Sequence, residues 1–343
     1  MEYATSGGGS SFAQFQLKRT EDVHIHAQQL QSWEQEYEQV SRGPFHGEVR
    51  ELTAPSLQIF EERASCATVQ YCKPWHGGIW IGLPSTASYD GLRFMGHSVA
   101  DAVVMWASNE QPFDLLVPAA VGLYGVVLDL RDLQQHLSWR EGVPSDSVWT
   151  ADALTAARLH SLGTAQRQRM AGLVREVLRN LEENPHVLQH SASYHAMHHA
   201  ILGVVCDLLI PQAARHPAAD EPSHRRRRAL VRRARQLILE RPQDFLHLSQ
   251  LCAALHVTRR TLHNCFDTVL GISPAAYLRE VRLNAVRRAL QDPDLAHLSI
   301  TDVAAQLGFW HMGHFGQEYK ALFGEPPSQT RRNAIGRQLC VCQ

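Results

Sequence analysis

The side chains best suited to chemistry in this 343-residue chain are its 20 histidines and its arginines. His195, His198 and His199 occupy positions i, i+3 and i+4, which place them on one face of a helix. Three imidazoles arranged in this way can bind a metal ion, cobalt among them. The nearest cysteine is Cys206, two helical turns further on, and no acidic residue stands nearby at ligand spacing. We therefore interpret these residues as solvated or interface histidines and predict no metal site.

Sequence signatures of the common enzyme classes are absent. The chain has no nucleophile elbow, P-loop, Rossmann fingerprint or metalloprotease motif. A cupin-like enzyme would need His and Glu ligands on its strands, and the His-Gly pairs at 46–47 and 76–77 are too weak a pattern for that. We predict that the protein is not an enzyme and has no catalytic cofactor.

Arginine dominates the basic residues and is concentrated in one part of the chain. Of the 33 basic residues, 30 are Arg. From residue 224 to the end there are 18 basic and 9 acidic residues, whereas residues 1–223 hold 15 basic and 25 acidic residues. A basic block beside an acidic one is typical of a nucleic-acid-binding domain attached to a separate sensing domain. The run Arg225–Arg228 fits either a solvated helix face or a set of phosphate contacts.

Composition also bounds the compartment. The seven cysteines show no disulfide-framework spacing, which suits a reducing cytoplasm, and Cys252 and Cys265 fall at packing positions. No apolar run approaches the roughly 18–20 residues that cross a membrane. The Gly/Ser-rich start lacks the basic flank and apolar stretch of a secretory signal. We predict a cytoplasmic protein with no membrane contact.

The elements that must position these residues indicate an α+β fold. Residues 20–40 carry apolar side chains at helical spacing and are predicted to form a helix. From Phe45 to Val127, short alternating runs are broken by Gly and Pro, which predicts a β-rich sensing domain that is either a cupin-like barrel or a sandwich. Residues 129–140 return to a helix. The last domain is predicted to be all-α.

The domain bounds follow from these changes in pattern. We predict a disordered lead at 1–19, a β-rich effector-binding domain at 20–150, a helical dimerisation or connecting segment at 151–210, a linker at 211–224, an all-α domain at 225–334 and a tail at 335–343. The helix around 201–209 is so apolar that it requires a partner. That partner is either the β-rich domain or the same helix in a second chain, so a homodimer is one expectation.

The last domain contains a helix-turn-helix pattern twice. The first copy runs from Leu248 to Phe266 and the second from Ile300 to Tyr319. Each copy has small residues where two helices must cross closely, followed by a turn position that favours a left-handed backbone. Gly308 suits that position in the second copy, while His256 in the first copy is strained there by up to roughly 1–2 kcal/mol.

The two copies differ beyond the turn. Thr258 can cap the second helix of the first copy, whereas Trp310 stands at the corresponding place in the second copy and cannot. The inward anchors of the second copy, Phe315 and Tyr319, are shifted by one residue. Its turn is therefore predicted to be one residue longer. Two such motifs in tandem indicate a DNA-reading module.

One helix is predicted to join the two copies. Residues 274–290 would span about 26 Å as a helix, close to the reach that holds two recognition helices near successive major grooves, some 34 Å apart. The predicted basic face of this helix comprises Arg279, Arg282, Arg287 and Arg288.

Residues 248–331 resemble the AraC/XylS family of bacterial transcription regulators. The resemblance rests on LCAALHVTRRTLHNCF at 251–266, Gly271-x-x-Pro274-x-x-Tyr277-Leu278, Arg282-Leu283-Asn284-Ala285, Asp302-Val303-Ala304-x-x-Leu307-Gly308-Phe309 and Phe323-Gly324-x-x-Pro327. Departures are Cys252 for the usual Ala, His256 for the turn Gly, Gly313 for Ser and Pro326 for Thr. The resemblance implies a bacterial, nucleoid-associated protein whose partners include double-stranded DNA and RNA polymerase.

The same resemblance implies which side chains contact DNA. The base-facing set is Arg260, His263 and Asn264 in the first copy and His311, Met312, Gly313, His314 and Gln317 in the second. Arg259, Arg282 and Lys320 complete the predicted DNA-binding residues. Because Arg pairs with guanine and Asn with adenine, while Met and Gly offer few base-reading groups, the first copy is predicted to read more sequence. Each side chain has the alternative of touching only phosphate or water.

In this family the second domain typically senses a small molecule or dimerises. Trp75, His76, Trp80 and Tyr89 lie close together in sequence, as the lining of a ligand pocket would. An aromatic core explains them equally without a ligand, and we favour the core interpretation for each.

Motifs along the chain resemble the ethanolamine-utilisation operon regulators of this family. They are Asp22-Val23-x-x-His26-Ala27, Phe45-His46-Gly47-Glu48, Ile79–Pro84, Gly125–Leu128, Arg282–Arg288 and Gly308–Phe315. The resemblance implies an activator of ethanolamine catabolism genes that responds to adenosylcobalamin together with ethanolamine. The cobalamin-binding motif Asp-x-His-x-x-Gly is absent, so no effector-binding residue is assigned. The alternative is a regulator of another catabolic operon with a different effector, such as an aromatic amine or an amino acid.

Overall fold

The computed structural model describes residues 13–99, 103–139, 158–209, 222–244 and 247–341. The chain forms a two-sheet β sandwich with helices against one outer face and an all-α domain against the other. The predicted α+β class is therefore confirmed, with a β-rich N-terminal domain and a C-terminal domain that holds two helix-turn-helix motifs.

The sandwich is built from antiparallel strands. They are β1 Gln14–Thr20, β2 Glu34–Gln39, β3 Gly47–Ala54, β4 Leu57–Ala64, β5 Thr68–Lys73, β6 Gly78–Pro84, β7 Arg93–Phe94, β8 His97–Ser98, β9 Val103–Ser108, β10 Phe113–Val117, β11 Gly122–Asp129 and β12 Arg158–Ser161. Sheet A has the strand order β1-β3-β4-β11-β6-β9-β12, and sheet B has the order β2-β5-β10-β7-β8.

Alternation along the strands separates an inner from an outer apolar layer. On β6, Trp80 faces the space between the sheets, whereas Ile79 and Ile81 belong to the layer outside sheet A. Trp80 stacks on Phe113 of the opposite sheet with ring centroids 4.6 Å apart. The part of the inner layer around Trp80 is thus occupied by packed aromatic rings, as the core interpretation of Trp80 predicts.

Helices cover the outer face of sheet A. The helices of the N-terminal half are α1 Val23–Ala27, α2 Leu130–Ser138, α3 Thr164–Glu183 and α4 Ser191–Leu209. Val174 and Leu178 of α3 and Ile201 and Val205 of α4 are at most 2% exposed and join the outer layer of sheet A. Of the two partners considered for residues 201–209, the β-rich domain of the same chain is the one in contact. A homodimer stays a prediction.

The C-terminal domain has two separate apolar clusters. Its helices are α5 Pro222–Glu240, α6 Leu248–Ala254, α7 Arg259–Leu270, α8 Pro274–Gln291, α9 Ile300–Gln306, α10 Met312–Phe323 and α11 Pro327–Val341. The first cluster surrounds Phe266 and the second surrounds Phe315. α8 contributes Tyr277 and Val281 to the first cluster and Val286 to the second, so it belongs to both.

The C-terminal domain covers the outer face of sheet B. Val69 of β5 joins the first cluster, and the hydroxyl groups of Tyr71 and Tyr277 are hydrogen-bonded at 2.7 Å. The buried carboxylate of Asp114 pairs with the guanidinium groups of Arg228 and Arg232 at 2.8 and 2.7 Å. The two domains therefore share a continuous buried interface.

Three arginines assigned to solvent or phosphate by their sequence pattern lie instead in this interface. Arg228, considered for a solvated face or a phosphate contact, is 7% exposed beside Asp114. Arg287 is 5% exposed and pairs with Asp22 at 2.8 Å, and Arg288 pairs with Glu38 at 3.2 Å. The predicted basic face of α8 is wrong for these last two residues, because acidic groups of the N-terminal domain cover them.

Two predictions for the first forty residues are wrong. The predicted disordered lead is a strand from Gln14 onward, since β1 pairs along its whole length with β3. The helix predicted at 20–40 is a short helix followed by strand β2. Glu and Gln favour helices locally, but Tyr37 alternates with Glu36 and Glu38 across β2, and pairing with β5 overrides the local preference.

Three further bounds differ from prediction. β12 lies inside the segment predicted to be helical, because residues 158–161 add a strand to the edge of sheet A. α5 begins at Pro222, within the predicted linker 211–224, and α11 continues to Val341, through most of the predicted tail. Residues 1–12, 140–157 and 210–221 lie outside the described part of the chain.

Among the described residues, no helix combines the length and the apolar composition that a membrane span requires.

The Asp22–Arg287 pair predicts an acid-sensitive stability. Burial alone would raise the pKa of Asp22, but Arg287 and the hydrogen bond from Gln291 outweigh it and lower this pKa to about 2. Because the pKa of Asp22 in the folded protein lies below its ordinary value near 4, the charged carboxylate stabilises the fold fully above about pH 4. This stabilisation is lost as pH falls from 4 towards 2. The variant Asp22→Asn keeps the cap of α1 but should lose about 2 kcal/mol of unfolding free energy at pH 7.

Urea unfolding between pH 7 and pH 2 measures this difference. The gap between wild type and Asp22→Asn should close as pH falls, whereas Asp90→Asn, at an exposed loop position, should track wild type at every pH. A gap independent of pH would contradict the assigned role of the charge.

Candidate nucleic-acid interface

The first helix-turn-helix motif consists of α6 and α7. Its turn holds His256 with φ 52°, the left-handed conformation predicted for that position. Thr258 caps α7, because its hydroxyl oxygen accepts a hydrogen bond from the backbone N–H of Thr261 at 3.1 Å. Leu262 and Phe266 anchor α7 at 1% and 0% exposure. The predicted cap, turn and anchors are all confirmed.

The second motif consists of α9 and α10. Its turn is one residue longer than that of the first motif, as predicted, and Gly308 adopts φ 85°. As predicted, Trp310 does not cap α10, and this helix starts differently from α7. His311 caps α10, since its Nδ1 accepts a hydrogen bond from the backbone N–H of His314 at 3.3 Å. The longer turn moves the cap position by one residue, from Trp310 to His311.

The side chains predicted to contact DNA lie together on the outer surfaces of the two recognition helices, α7 and α10. Exposed residues of this set are Arg259, Arg260, His263 and Asn264 on α7, and His311, Gly313, His314, Gln317 and Lys320 at and along α10. Met312 is half-buried against the second apolar cluster. The structure therefore presents polar and basic groups along both helices, while their contacts with bases stay a prediction.

Arg282 lies apart from the other predicted residues, in a groove between the two motifs. The groove has a volume of about 330 Å³ and is lined by α6 and α8 on one side and by the turn of the second motif on the other. Burial and the nearby charge of Arg279 lower the pKa of Arg282. Arg279 itself is exposed and pairs with Glu318 at 3.6 Å. Arg282 is thus half-buried rather than displayed like Arg260.

Trp310 is a surface feature that the sequence-based DNA-binding set leaves out. At 86% exposure it is the most exposed large apolar side chain among the described residues. It stands edge-on to His311, with ring centroids 5.6 Å apart, at the rim of the groove. An exposed aromatic ring beside a recognition helix can pack on sugars or on thymine methyl groups. The signal in the sequence is an aromatic residue at a position that normally caps a helix.

The aromatic cluster of the N-terminal domain is mainly core. Trp80 and Tyr89 are 2% and 8% exposed, which confirms the core interpretation for these two. Trp75 is half-buried, and His76 is exposed. These four residues do not form one pocket wall, because they divide between the sandwich interior and the surface.

The interior of the sandwich is unusually polar. Tyr37 donates a hydrogen bond to Glu62 at 3.2 Å, and the imidazole of His26 lies 2.9 Å from the same carboxylate. Burial, followed by the charge of Glu62, raises the pKa of Tyr37 well above its ordinary value. Among the described residues, the side-chain oxygens of Gln35 and Gln70 and the indole N–H of Trp80 have no hydrogen-bond partner, although they are buried. Sequence patterning missed this set because its residues lie on one helix and four separate strands, α1, β2, β4, β5 and β6.

The histidines of α4 do not assemble a metal site. His195 and His199 are exposed, and His198 is half-buried with Nε2 3.8 Å from Asp132. Burial lowers the pKa of His198 despite the opposing effect of Asp132. In the part of the chain that the structure describes, no group of three His, Cys, Asp or Glu side chains could hold a metal ion.

Comparison with known proteins locates similarity in the C-terminal domain. Residues 251–333 match a family model described as a helix-turn-helix domain. A XylDLEGF operon transcriptional activator of Pseudomonas putida is 36% identical over 97 residues, which are 28% of this chain and 30% of that protein. A probable thc operon regulatory protein of Rhodococcus erythropolis is 33% identical over 103 residues, 30% of this chain and 31% of that protein. The chain thus spans less than a third of the length of these two relatives.

A solved structure shows similarity of the same extent. It is a transcriptional regulator from Chromobacterium violaceum, described among AraC-type DNA-binding domain-containing proteins. It is 27% identical, covers 31% of this chain and 92% of its own, and superposes with a TM-score of 0.29.

The family-model match and the sequence identity to the two relatives, taken with the two motifs described above, identify the C-terminal domain. Residues 251–333 are an AraC/XylS-type helix-turn-helix domain. The resemblance found in the motifs is confirmed at this level. The closer resemblance to ethanolamine-utilisation regulators stays a prediction.

Arg260 provides the sharpest test of this interface. Arg260→Ala should cost about 1–3 kcal/mol of sequence-specific DNA binding, because an exposed Arg on the recognition helix can bond bidentately to guanine. Fluorescence anisotropy on a selected duplex and on random-sequence DNA measures the difference.

Arg175→Ala is the matched control, since Arg175 is exposed on α3, in the other domain. Equal losses on selected and random DNA would assign Arg260 to phosphate contact only.

Proposed function

We propose that the protein is a sequence-specific, DNA-binding transcription regulator and that it acts as an activator. The observation that carries this proposal is the pair of exposed recognition helices joined by α8. The 18 residues of α8 span about 27 Å. Adjacent major-groove faces lie about 34 Å apart. This reach suits one motif in each of two successive grooves. The relatives named as operon activators support the regulatory role.

Selection of duplexes from a random-sequence library tests this function. The wild-type chain should enrich two short motifs whose centres lie about one helical turn apart, 10–10.5 base pairs. The motif bound by α7 should be the better defined, since α7 carries Arg260 and Asn264. Enrichment of no motif, or of a single one, would contradict binding by both helices.

We propose that the β sandwich binds a small effector between its sheets. Gln35 and Gln70 lie on the paired strands β2 and β5, where Gln35 is opposite Cys72 and Gln70 is opposite Tyr37. A buried polar atom without a partner costs about 1–3 kcal/mol, which a ligand that pairs it recovers. Two unpaired amide oxygens that face the same interior as the Glu62 carboxylate suit a ligand that donates several hydrogen bonds, as a small ammonium compound does.

We propose ethanolamine as this effector and the ethanolamine catabolism genes as the regulated operon. The ammonium and hydroxyl groups of ethanolamine are donors that match the acceptors Gln35, Gln70 and Glu62. The resemblance of the N-terminal motifs to ethanolamine-utilisation regulators supports the same choice. An AraC-type regulator of another operon, with an aromatic amine or an amino acid as effector, remains the second proposal, because the same acceptors suit any small amine.

Adenosylcobalamin does not fit the same space. The stacked rings of Trp80 and Phe113, with Trp33 edge-on at 6.3 Å from Trp80, fill the interior where a corrin ring would have to lie. The proposal that adenosylcobalamin is a second effector therefore requires a site elsewhere on the chain and is supported by resemblance alone.

Other parts of the proposal follow from the regulatory role. RNA polymerase is the proposed partner, because an activator acts through it. A homodimer would double the contacts with DNA. The proposed location is the cytoplasm, where the regulator and RNA polymerase meet DNA. We propose that the protein is not an enzyme, since the relatives named above are regulators of operons.

The effector proposal predicts a change at the sandwich interior. Ethanolamine should alter the tryptophan fluorescence of the full chain, because Trp33 and Trp80 lie in that interior. Gln70→Leu should weaken ethanolamine binding about tenfold or more, since a hydrogen bond to a charged group is lost. Gln28→Leu, at an exposed position, is the control.

Calorimetry with adenosylcobalamin, with and without ethanolamine, completes the test. Heat of binding and a change in DNA affinity are expected. No heat from either compound, together with neighbouring genes unrelated to ethanolamine breakdown, would exclude the ethanolamine proposal and favour a different effector.

A further inference from the structure

The relative orientation of the two helix-turn-helix motifs needs support from outside them. Their apolar clusters are separate, and α8 is the element that belongs to both. An exposed ion pair between Arg279 and Glu318, at 3.6 Å, adds to this link. Exposed ion pairs contribute little stability. A single helix and such a pair hold two small clusters together only loosely.

The last turn of recognition helix α10 is held by the N-terminal domain. The carbonyl oxygen of Leu322 has no partner within the helix, as is usual in a last turn. It accepts hydrogen bonds from Gln39 Nε2 at 2.6 Å and from the backbone N–H of Gly43 at 3.1 Å. Gly324 follows with φ 76°, and a Cβ at that position would lie 2.9 Å from the backbone nitrogen of Pro44. This close approach fixes the end of α10 against the segment that follows β2.

The last turn of recognition helix α7 is held by the same domain, near the opposite edge of sheet B. Arg93 on β7 donates a hydrogen bond from Nη1 to the carbonyl oxygen of Thr268 at 2.7 Å. A positive charge at the C-terminal end of a helix is also favoured by the helix dipole. The N-terminal domain therefore contacts the C-terminal end of each recognition helix. The predicted base-reading residues lie nearer the N-terminal end of each helix.

The middle of α8 completes the contact. Asn284, at 0% exposure, accepts a hydrogen bond from the backbone N–H of Gln39 at 3.0 Å and donates one to the carbonyl oxygen of Gln39 at 3.0 Å. Gln39 thus bonds to α8 through its backbone and to α10 through its side chain. A shift of β2 would be transmitted to both helices.

We propose that the N-terminal domain is a splint for the two motifs, in which Gln39 and Arg93 are positioning residues that set the orientation of α10 relative to α7 on DNA. This proposal rests on the proposed function, binding of one duplex by both recognition helices. Neither Gln39 nor Arg93 belongs to the predicted base-reading set. Their effect is on which spacing of half-sites the protein accepts, rather than on which bases it reads.

The test is the spacing tolerance of the full chain. The probes are the duplex selected by wild type from a random library and two derivatives with one base pair inserted or removed between its motifs. One base pair rotates the half-sites by about 35° relative to each other. Wild type should lose about tenfold or more in affinity on the altered duplexes, by analogy with the cost of a mismatched site.

The affinity of Gln39→Ala for the altered duplexes should be less than about threefold below its own affinity for the parent duplex. The reason is that the two motifs of this variant reorient more freely. Arg93→Ala should show the same broadened tolerance, and it provides the result if Gln39→Ala fails to fold. Gln28→Ala and Arg131→Ala, both at exposed positions of the N-terminal domain, are the matched controls and should discriminate as wild type does. Circular dichroism and size-exclusion chromatography establish that each variant is folded.

If Gln39 and Arg93 had a merely structural role, their substitution would lower the affinity for all three duplexes by the same factor. That result would overturn the proposal. Unchanged discrimination in folded Gln39→Ala and Arg93→Ala would overturn it as well. Failure of the proposed function has a different signature, because wild type would then select one motif or none and show no spacing preference for any variant to lose.

Discussion

The helix α8 must satisfy three environments at once, and the arrangement of both domains depends on it. Its first half belongs to the apolar cluster around Phe266, and its second half belongs to the cluster around Phe315. A third face carries Arg287 and Arg288, which meet the acidic groups of the N-terminal domain. Removing one partner from such a buried ion pair leaves the other charge less well compensated, which destabilises the fold. The position of the N-terminal domain is therefore tied to the helix that joins the two DNA-facing motifs.

The unequal distribution of charge along the chain also contributes to the contact between the two domains. A basic C-terminal block beside an acidic N-terminal block is typical of a DNA-binding domain with a separate sensor. In the folded protein, part of that opposite charge is used between the blocks, since Asp114, Asp22 and Glu38 each meet arginines of the C-terminal domain. The field available to DNA comes from the remaining basic residues, among them Arg259 and Arg260, which are exposed.

The features that the sequence predicts correctly are local ones. The turn residue, cap and anchors of the first motif all lie within residues 256–266, and the conformations of the turn and the cap follow from residue type. The errors arise where distant strands decide the outcome. Residues 34–39 carry helix-favouring side chains yet form β2, because β5 lies beside them. The buried role of Arg287 depends on Asp22, 265 positions earlier in the chain, which no periodic pattern reveals. Base contacts of the recognition helices remain a prediction from resemblance.

Strand β2 lies between the proposed effector site and the C-terminal domain. Gln35 and Tyr37 point to the sandwich interior, while Glu36 and Glu38 point outward to Arg235 at 2.6 and 2.7 Å. Successive side chains of a strand lie on opposite faces, so the two sets are separated by one backbone thickness. A rotation of β2 about its own axis moves them in opposite senses. A change of the interior side chains therefore needs no relay of intermediate residues to reach helices α5 and α8 of the C-terminal domain.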